Sequence, residues 1–351
     1  MKTRILLPDE QGIAEAGKIL RNGGLVAIPT ETVYGLAANA LDGAAVKKIF
    51  EAKGRPQDNP LIVHISALEQ IDALIEKRTE RMNRLAEAFW PGPLTVINKK
   101  SALVPDEVTC GMDTVAVRFP SDPTAQAIIT AAGVPLAAPS ANLSGHPSPT
   151  TFEHCLHDLD GKVDALVKGR ECKFGVESTV VTIAGEVPRL LRPGAVTAEQ
   201  LRGVLGELEI DRAVTEKIDP RAKVASPGMK YKHYAPRAHV LMLTGSAAAF
   251  RAYLQTCRTE GAAALCFDED NPPEGFRVYR WGKKADHLTQ AHLLFEILRQ
   301  TDEDGVQTVY AHTPDRDGVG LAVYNRLIRA AGFEVVDLDE DHRTDGADRR
   351  G

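Results

Sequence analysis

Cysteine is scarce in this 351-residue chain, and the five present, at positions 110, 155, 172, 257 and 266, form no CxxC pair. That spacing excludes a zinc ribbon and a disulfide framework and leaves buried thiols as the expectation. No stretch approaches about eighteen consecutive apolar residues, and MKTRILLPDEQ lacks the apolar core of a signal peptide. A cytoplasmic protein with no membrane role is therefore expected. GxxxxGK[ST] is missing, as is GxGxxG after a strand, and GVG at 318–320 is too short to replace either. HExxH, GxSxG, a cysteine in the surroundings of a known nucleophile and a tight carboxylate pair in the polar loops are also absent. Catalysis, if any, would rest on positioning and electrostatics.

Excess positive charge is lacking too, since 42 Lys+Arg against 48 Asp+Glu give a net charge of -6. Nonspecific nucleic-acid binding is disfavoured by that balance. The charge is uneven. Residues 1–210 carry 22 basic against 26 acidic groups (-4), residues 211–236 carry 6 against 3 (+3), and residues 237–351 carry 14 against 19 (-5). The basic segment, DRAVTEKIDPRAKVASPGMKYKHYAP, has three prolines and no sustained period, so it reads as a linker. Its run Lys230, Tyr231, Lys232, His233, Tyr234 is richer than a spacer needs and marks a surface that touches something.

The chain length exceeds what one hydrophobic core usually fills, so two domains are expected. From residue 13, helical and strand patterns alternate: AEAGKILRNGG, LVAIP, GAAVKKIFEAKGR and LIVHI, then PLTVIN, TVAVRFP, PLAAPS, ALVKG, STVVTIA and PRLLRP as strands. DPTAQAIITAAG and TAEQLRGVLG read as helices N-capped by Asp122 and Thr197. This predicts an α/β domain with a mixed sheet over 1–208, a basic linker over 209–237, and a smaller α/β domain of parallel type over 238–340. A disordered tail is expected over 341–351.

In FEAKGRPQDNPLIVHI, a helix should stop at Gly54 and Pro56, placing Lys53 and Arg55 at its end, with Asn59 and His64 close behind. Basic residues complement a helix C-terminus without any ligand, and a strand histidine is commonly a satisfied core residue. Two further segments change the weighting. PTETVYGLAA supplies Thr30, Thr32 and Tyr34 just after a strand, where open α/β sheets bind ligands. APSANLSGHPSPTT supplies Ser140, Asn142, Ser144 and Ser148 among small residues that let a ligand approach the backbone. Arg118 and Arg192 sit in apolar strand runs, where an unpaired charge is costly. With Lys53 and Arg55 they could converge on a polyanion such as a nucleotide.

In this order PTETVYGLA, KGRP with Asn59 and His64, PSANLSG, LLRPG, SPGMKYKHYAP and GLAVYNRLIRAAG resemble the two-domain form of the threonylcarbamoyl-adenylate synthase family. The resemblance spans nearly the whole chain and implies a YrdC-like twisted mixed-sheet domain followed by a smaller Rossmann-like one. It implies synthesis of threonylcarbamoyl-AMP and pyrophosphate from L-threonine, bicarbonate or CO2, and ATP, for modification of the tRNA adenosine beside the anticodon. Lys53 and Arg55 would be catalytic. Arg55, Asn59, Thr114, Ser140, Asn142, Ser148, Arg192, Tyr231 and Tyr234 would hold ATP, with Asn142 shaping its turn. Thr32, His64, Arg118, Ala138 and Ser178 would hold L-threonine, Arg118 pairing with its carboxylate. Ala138 stands where some members have threonine, so it would act through its backbone. Mg²⁺ would be held mainly by the phosphates and by no protein side chain, and the linker would act as a lid. The implied downstream partner is the tRNA threonylcarbamoyltransferase machinery, with no stable nucleic-acid binding. The alternatives are an RNA-binding module and carbamoyl transfer from carbamoyl phosphate, the latter in a larger protein type with zinc-binding cysteines.

Overall fold

The structure, a computed structural model, describes residues 2–217 and 234–339. It divides into two compact units, residues 1–144 with 148–231 and residues 145–147 with 232–351. Tyr231 and the residues of the linker before Tyr234, from 218, lie outside the described residues, as does the tail from 340.

Strands are numbered here in chain order. Among the described residues the first unit holds an eleven-stranded sheet. Its spatial order is β1 (Arg4–Leu6), β8 (Ala165–Val167), β2 (Val26–Ile28), β3 (Gly35–Asn39), β7 (Leu136–Ala137), β4 (Ile62–His64), β6 (Thr114–Arg118), β5 (Leu94–Lys99), β9 (Thr179–Thr182), β10 (Arg189–Arg192) and β11 (Glu209–Ile210). The pairing is mixed: β4 and β6 run parallel, β5 and β6 antiparallel, and β5 and β9 parallel. Short Val- and Ile-rich runs make these strands because both faces are covered. Val63, Val96, Val117 and Val181 pack with Val46, Ile49 and Phe50 of helix Gly43–Lys53 in the larger core. Towards the β1 edge, Val26, Ile28, Ala165 and Val167 pack with Leu20 of helix Glu10–Arg21 and Ile128 and Ile129 of helix Pro123–Ala132.

Helix boundaries follow local chemistry. Asp122 and Thr197 cap their helices through side-chain bonds from Ala125 N and Gln200 N. Helix Gly43–Lys53 ends at Gly54, whose φ of 60° lies in the left-handed region that glycine adopts without penalty. The first unit continues past residue 208, where the sequence reading ends it, because Glu209 and Ile210 pair with Arg189 and Leu190. Ala213 then packs with Ile62, Ile97 and Val180.

The second unit carries an all-parallel sheet in the order β14 (Arg277–Arg280), β13 (Ala262–Cys266), β15 (Thr308–His312), β12 (His239–Thr244), β16 (Val335–Asp337). Helices Ala247–Thr256, His287–Glu303 and Gly320–Ala330 connect its strands. Within this unit Ala235 N donates to Gly145 O at 3.0 Å and Arg299 Nη2 to Pro147 O at 2.6 Å. Cys155, Cys172 and Cys266 are buried thiols, whereas Cys110 and Cys257 are only half-buried, and all five are unbridged.

Candidate functional site

Strand register in the first unit draws the site together. His64 on β4 is paired with Arg118 on β6, Arg118 with Thr95 on β5, Thr95 with Val180 on β9, and Val180 with Arg192 on β10. Directly paired residues present their side chains on the same sheet face, so one row crosses five strands carrying His64, Arg118, Thr95 and Arg192. All four are buried. Polar groups in such a row must find partners within the protein or in a ligand.

Some find partners within the protein. Arg192 Nε donates to Ser178 O at 3.0 Å and Nη2 to Ser178 Oγ at 3.1 Å, and Ser178 Oγ lies 2.8 Å from Thr95 Oγ1. The LLRPG turn makes this possible. A Cβ on Gly194 would fall 2.5 Å from Thr179 N, so only glycine lets the turn lie against β9. Thr179 Oγ1 then donates to Val196 O and accepts from Val196 N.

Arg118 differs. Its Nη1 donates to Thr32 Oγ1 at 2.9 Å and its Nη2 lies 2.7 Å from Glu31 Oε1. Yet Nε, Nη2 and both Glu31 oxygens lack a hydrogen-bond partner of normal geometry. His64, fully enclosed, is driven down to about 3 by burial first and by the Arg118 charge second. It is therefore a neutral imidazole at neutral pH. Its Nδ1 is 3.2 Å from the Ile62 carbonyl oxygen, which can only accept, so Nδ1 carries the proton and Nε2 the lone pair.

Two loops close over the row. Tyr34 N donates to Pro149 O, Ala141 N to Tyr34 O and Leu36 N to Pro139 O, stitching PTETVY to the PSAN segment. Thr32 is thereby fixed, its Oγ1 2.9 Å from Thr30 Oγ1. Tyr34 is wholly buried, its hydroxyl accepting from Gly169 N and donating to Arg170 O. Burial raises this phenol far above its ordinary value. Tyr34 serves packing, where the sequence suggested a ligand contact.

The loop bearing Ser140 is held from below. Lys53, 2% exposed, donates through Nζ to the main-chain oxygens of Ser140 and Asn142, while Ser144 N donates to Lys53 O. Asn142 Oδ1 accepts from the Ser140 hydroxyl and its Nδ2 donates to Leu143 O. Ser148 donates to Glu177 Oε1. Arg55 Nη2 donates to Asn59 O at 2.9 Å, and the buried Asn59 Oδ1 has no hydrogen-bond partner. Ala138 N donates to Ile62 O. Thr114 opens β6, four residues before Arg118 on the same face.

Tyr234 belongs to the second unit, 6% exposed, its ring 5.2 Å from that of Phe295 and 5.9 Å from the Arg326 guanidinium carbon. The sequence reading assigned it to ATP; the structure describes it in this packed position. Thr95, Glu31 and Glu177 were missed by that reading. A threonine in a β-run carries no signal of its own, and only tertiary pairing singles out the two glutamates. Among the described residues, one group has metal-ligand spacing: His287, Asp315 and Asp317 of the second unit, with ligand atoms within 4.8 Å of one another. Lys284 Nζ lies 3.7 Å from Asp315 there. No described helix is long and apolar enough to cross a membrane.

A mixed α/β sheet with a buried row of cations and neutral hydrogen-bonding groups, roofed by Ser/Asn and Thr/Glu loops, defines a YrdC-like first domain. Residues 18–194 match the Sua5, YciO and YrdC family described as telomere recombination, and residues 196–332 match the threonylcarbamoyl-AMP synthase C-terminal domain. The chain is similar to threonylcarbamoyl-AMP synthase of Bacillus subtilis, at 44% identity over 94% of this chain and 96% of the relative. It is similar to the Pyrococcus abyssi synthase at 43% identity, covering 93% and 96%. The solved structure of P. abyssi Sua5 complexed with L-threonine superposes with a TM-score of 0.89 at 40% identity, covering 96% of this chain and 99% of that one. The chain belongs to the threonylcarbamoyl-AMP synthase family, in its two-domain form with a YrdC-like first domain. Of the readings left open by the sequence, this membership favours the synthase over an RNA-binding module or a carbamoyl-phosphate enzyme.

Proposed function

We propose that the protein joins L-threonine, CO2 or bicarbonate, and ATP into threonylcarbamoyl-AMP with release of pyrophosphate. The observation that carries this reading is the buried Arg118, its Nε and Nη2 without hydrogen-bond partners, paired in register with the neutral His64. A guanidinium whose Nε is unpartnered and whose Nη2 is held only by the ion pair with Glu31 keeps capacity for a substrate carboxylate. Family membership adds that the carboxylate is threonine's. Thr32 and Ser178, within reach of Arg118 and Arg192, line the same row, and the lone pair on His64 Nε2 suits the threonine hydroxyl or amine as acceptor.

ATP enters as its magnesium complex. Glu31 is ion-paired with Arg118 and Glu177 accepts from the Ser148 hydroxyl, so the phosphates would hold the metal. Arg55 and Arg192, with Asn59, Thr114, Ser140, Asn142 and Ser148, supply cations and donors for the nucleotide, and the orphan Asn59 Oδ1 suits an amine or hydroxyl of it. Lys53 acts by holding the Ser140–Asn142 turn and by placing its charge behind it.

The threonine ammonium loses a proton to solvent, the freed amine nitrogen forms a bond to the carbon of CO2 as one C=O pair moves onto oxygen, and a second proton leaves the nitrogen for solvent. A carbamate oxygen then attacks the α-phosphorus while its bond to pyrophosphate breaks. Charge that accumulates at phosphorus meets preplaced cations, the largest single contribution such sites make. The product suits transfer of its threonylcarbamoyl group to tRNA by the downstream machinery. The test is pyrophosphate release by the purified chain: it should require ATP, bicarbonate and L-threonine together, and release independent of L-threonine would overturn the reading.

A further inference from the structure

The reaction as described leaves the buried carboxylate of Glu31 without a role. Glu31 is 6% exposed, and an ion so placed is costly unless both its charge and its hydrogen-bonding capacity are met. Its charge is met by Arg118 Nη2 at 2.7 Å. Burial pushes the carboxyl up, but the charge and contact of Arg118 outweigh it, so Glu31 stays below the usual carboxylate range and is ionised. Its hydrogen bonds are met only in part: Arg118 and the main chain of Glu31 and Ser121 lower the carboxyl, yet neither oxygen has a partner of normal geometry.

Beyond their mutual ion pair, Arg118 Nε and Glu31 Oε2 thus present unused capacity side by side, an N–H donor and an acceptor. An α-amino acid carries the matching pattern, a carboxylate that accepts next to an ammonium that donates. The turn is rigid enough to fix this geometry. Phe174 N donates to Glu31 O at 2.9 Å, and the neighbouring Thr32 is tied to both Thr30 and Arg118.

We infer that Glu31 recognises the amino group of the amino acid substrate, so that the Arg118–Glu31 pair reads a zwitterion as a unit. The inference rests on the reading of Arg118 as the carboxylate partner. Glu31 is then a binding residue that sets where the nitrogen sits when CO2 arrives, and it selects α-amino acids against hydroxy acids of the same shape.

Calorimetric titration of the full chain with L-threonine and with (R)-3-hydroxybutyrate, which lacks only the amino group, tests it. The native chain should bind L-threonine at least about 10-fold more tightly, the range of one charge-assisted hydrogen bond. Glu31→Gln should weaken L-threonine by about 10- to 100-fold and leave (R)-3-hydroxybutyrate unchanged or tighter, because Arg118 loses a competitor. Equal affinity of the native chain for both ligands overturns the inference, and needs no variant to fold. Equal weakening of both ligands by Glu31→Gln also overturns it, since Glu31 would then act only through Arg118. Failure of the native chain to bind L-threonine at all removes the reading of Arg118 itself, and is distinguished by appearing before any substitution is made.

Discussion

Lys53 Nζ donates to the backbone oxygens of both Ser140 and Asn142, so a buried cation at the end of one helix holds the turn that carries two other site residues. Lys53→Met keeps the apolar stem and removes three donors. Turnover should fall by at least about 10²-fold, as for loss of one preorganised electrostatic group, and amide exchange should rise across 140–144. Near-normal turnover would reduce Lys53 to a helix-end charge.

His64 predicts a pH dependence of stability. Its folded value, about 3, lies below the ordinary 6.5. The unfolded chain therefore binds the proton more readily, and stability is complete above pH 6.5 and lost as pH falls towards 3. Between pH 7.5 and 5 this one ring should contribute a loss of roughly 2 kcal/mol. Denaturant unfolding of the native chain and His64→Asn over that range should show the smaller slope in the variant. Identical slopes would mean that the imidazole titrates in the fold as it does in the unfolded chain.

Gly194→Ala tests the close approach of the LLRPG turn to β9. A methyl group there meets Thr179 N, Thr179 Oγ1 and Glu177 O, all within 2.8 Å. Overpacking of this kind should cost about 1–3 kcal/mol in thermal unfolding and weaken ATP binding by displacing Arg192. Unchanged stability would show that the turn can move away.

Substrate discrimination follows from the nature of the pocket. L-Serine lacks one methyl group of L-threonine, and a packed pocket separates such pairs by about 10- to 200-fold in kcat/KM. Equal kcat/KM values for the two amino acids would contradict the assignment of threonine.

Much of the fold was legible because its strands are short apolar runs between turn residues. LIVHI, TVAVRFP and PLTVIN became β4, β6 and β5, and Asp122 and Thr197 cap the helices their sequence signals indicate. β3 was not legible: Gly35–Asn39 is mostly glycine and alanine, which have little strand preference, and tertiary pairing with Val26–Ile28 makes the strand. The candidate site was legible where a charge interrupts an apolar run, as Arg118 and Arg192 do. It was not legible at Glu31, which between two threonines reads as a solvated turn residue until the fold sets it against Arg118. Tyr34 shows the reverse error, a hydroxyl in a promising turn that the fold turns inward to Gly169 and Arg170.

The most direct test of the account is to follow the carbon. The full chain is incubated with ATP, L-threonine and ¹³C-bicarbonate, and the nucleotide products are separated and weighed by mass spectrometry. The account predicts threonylcarbamoyl-AMP carrying the ¹³C label, in an amount equal to the pyrophosphate released. Pyrophosphate released without a labelled threonylcarbamoyl-AMP, or AMP formed without dependence on bicarbonate, would contradict it.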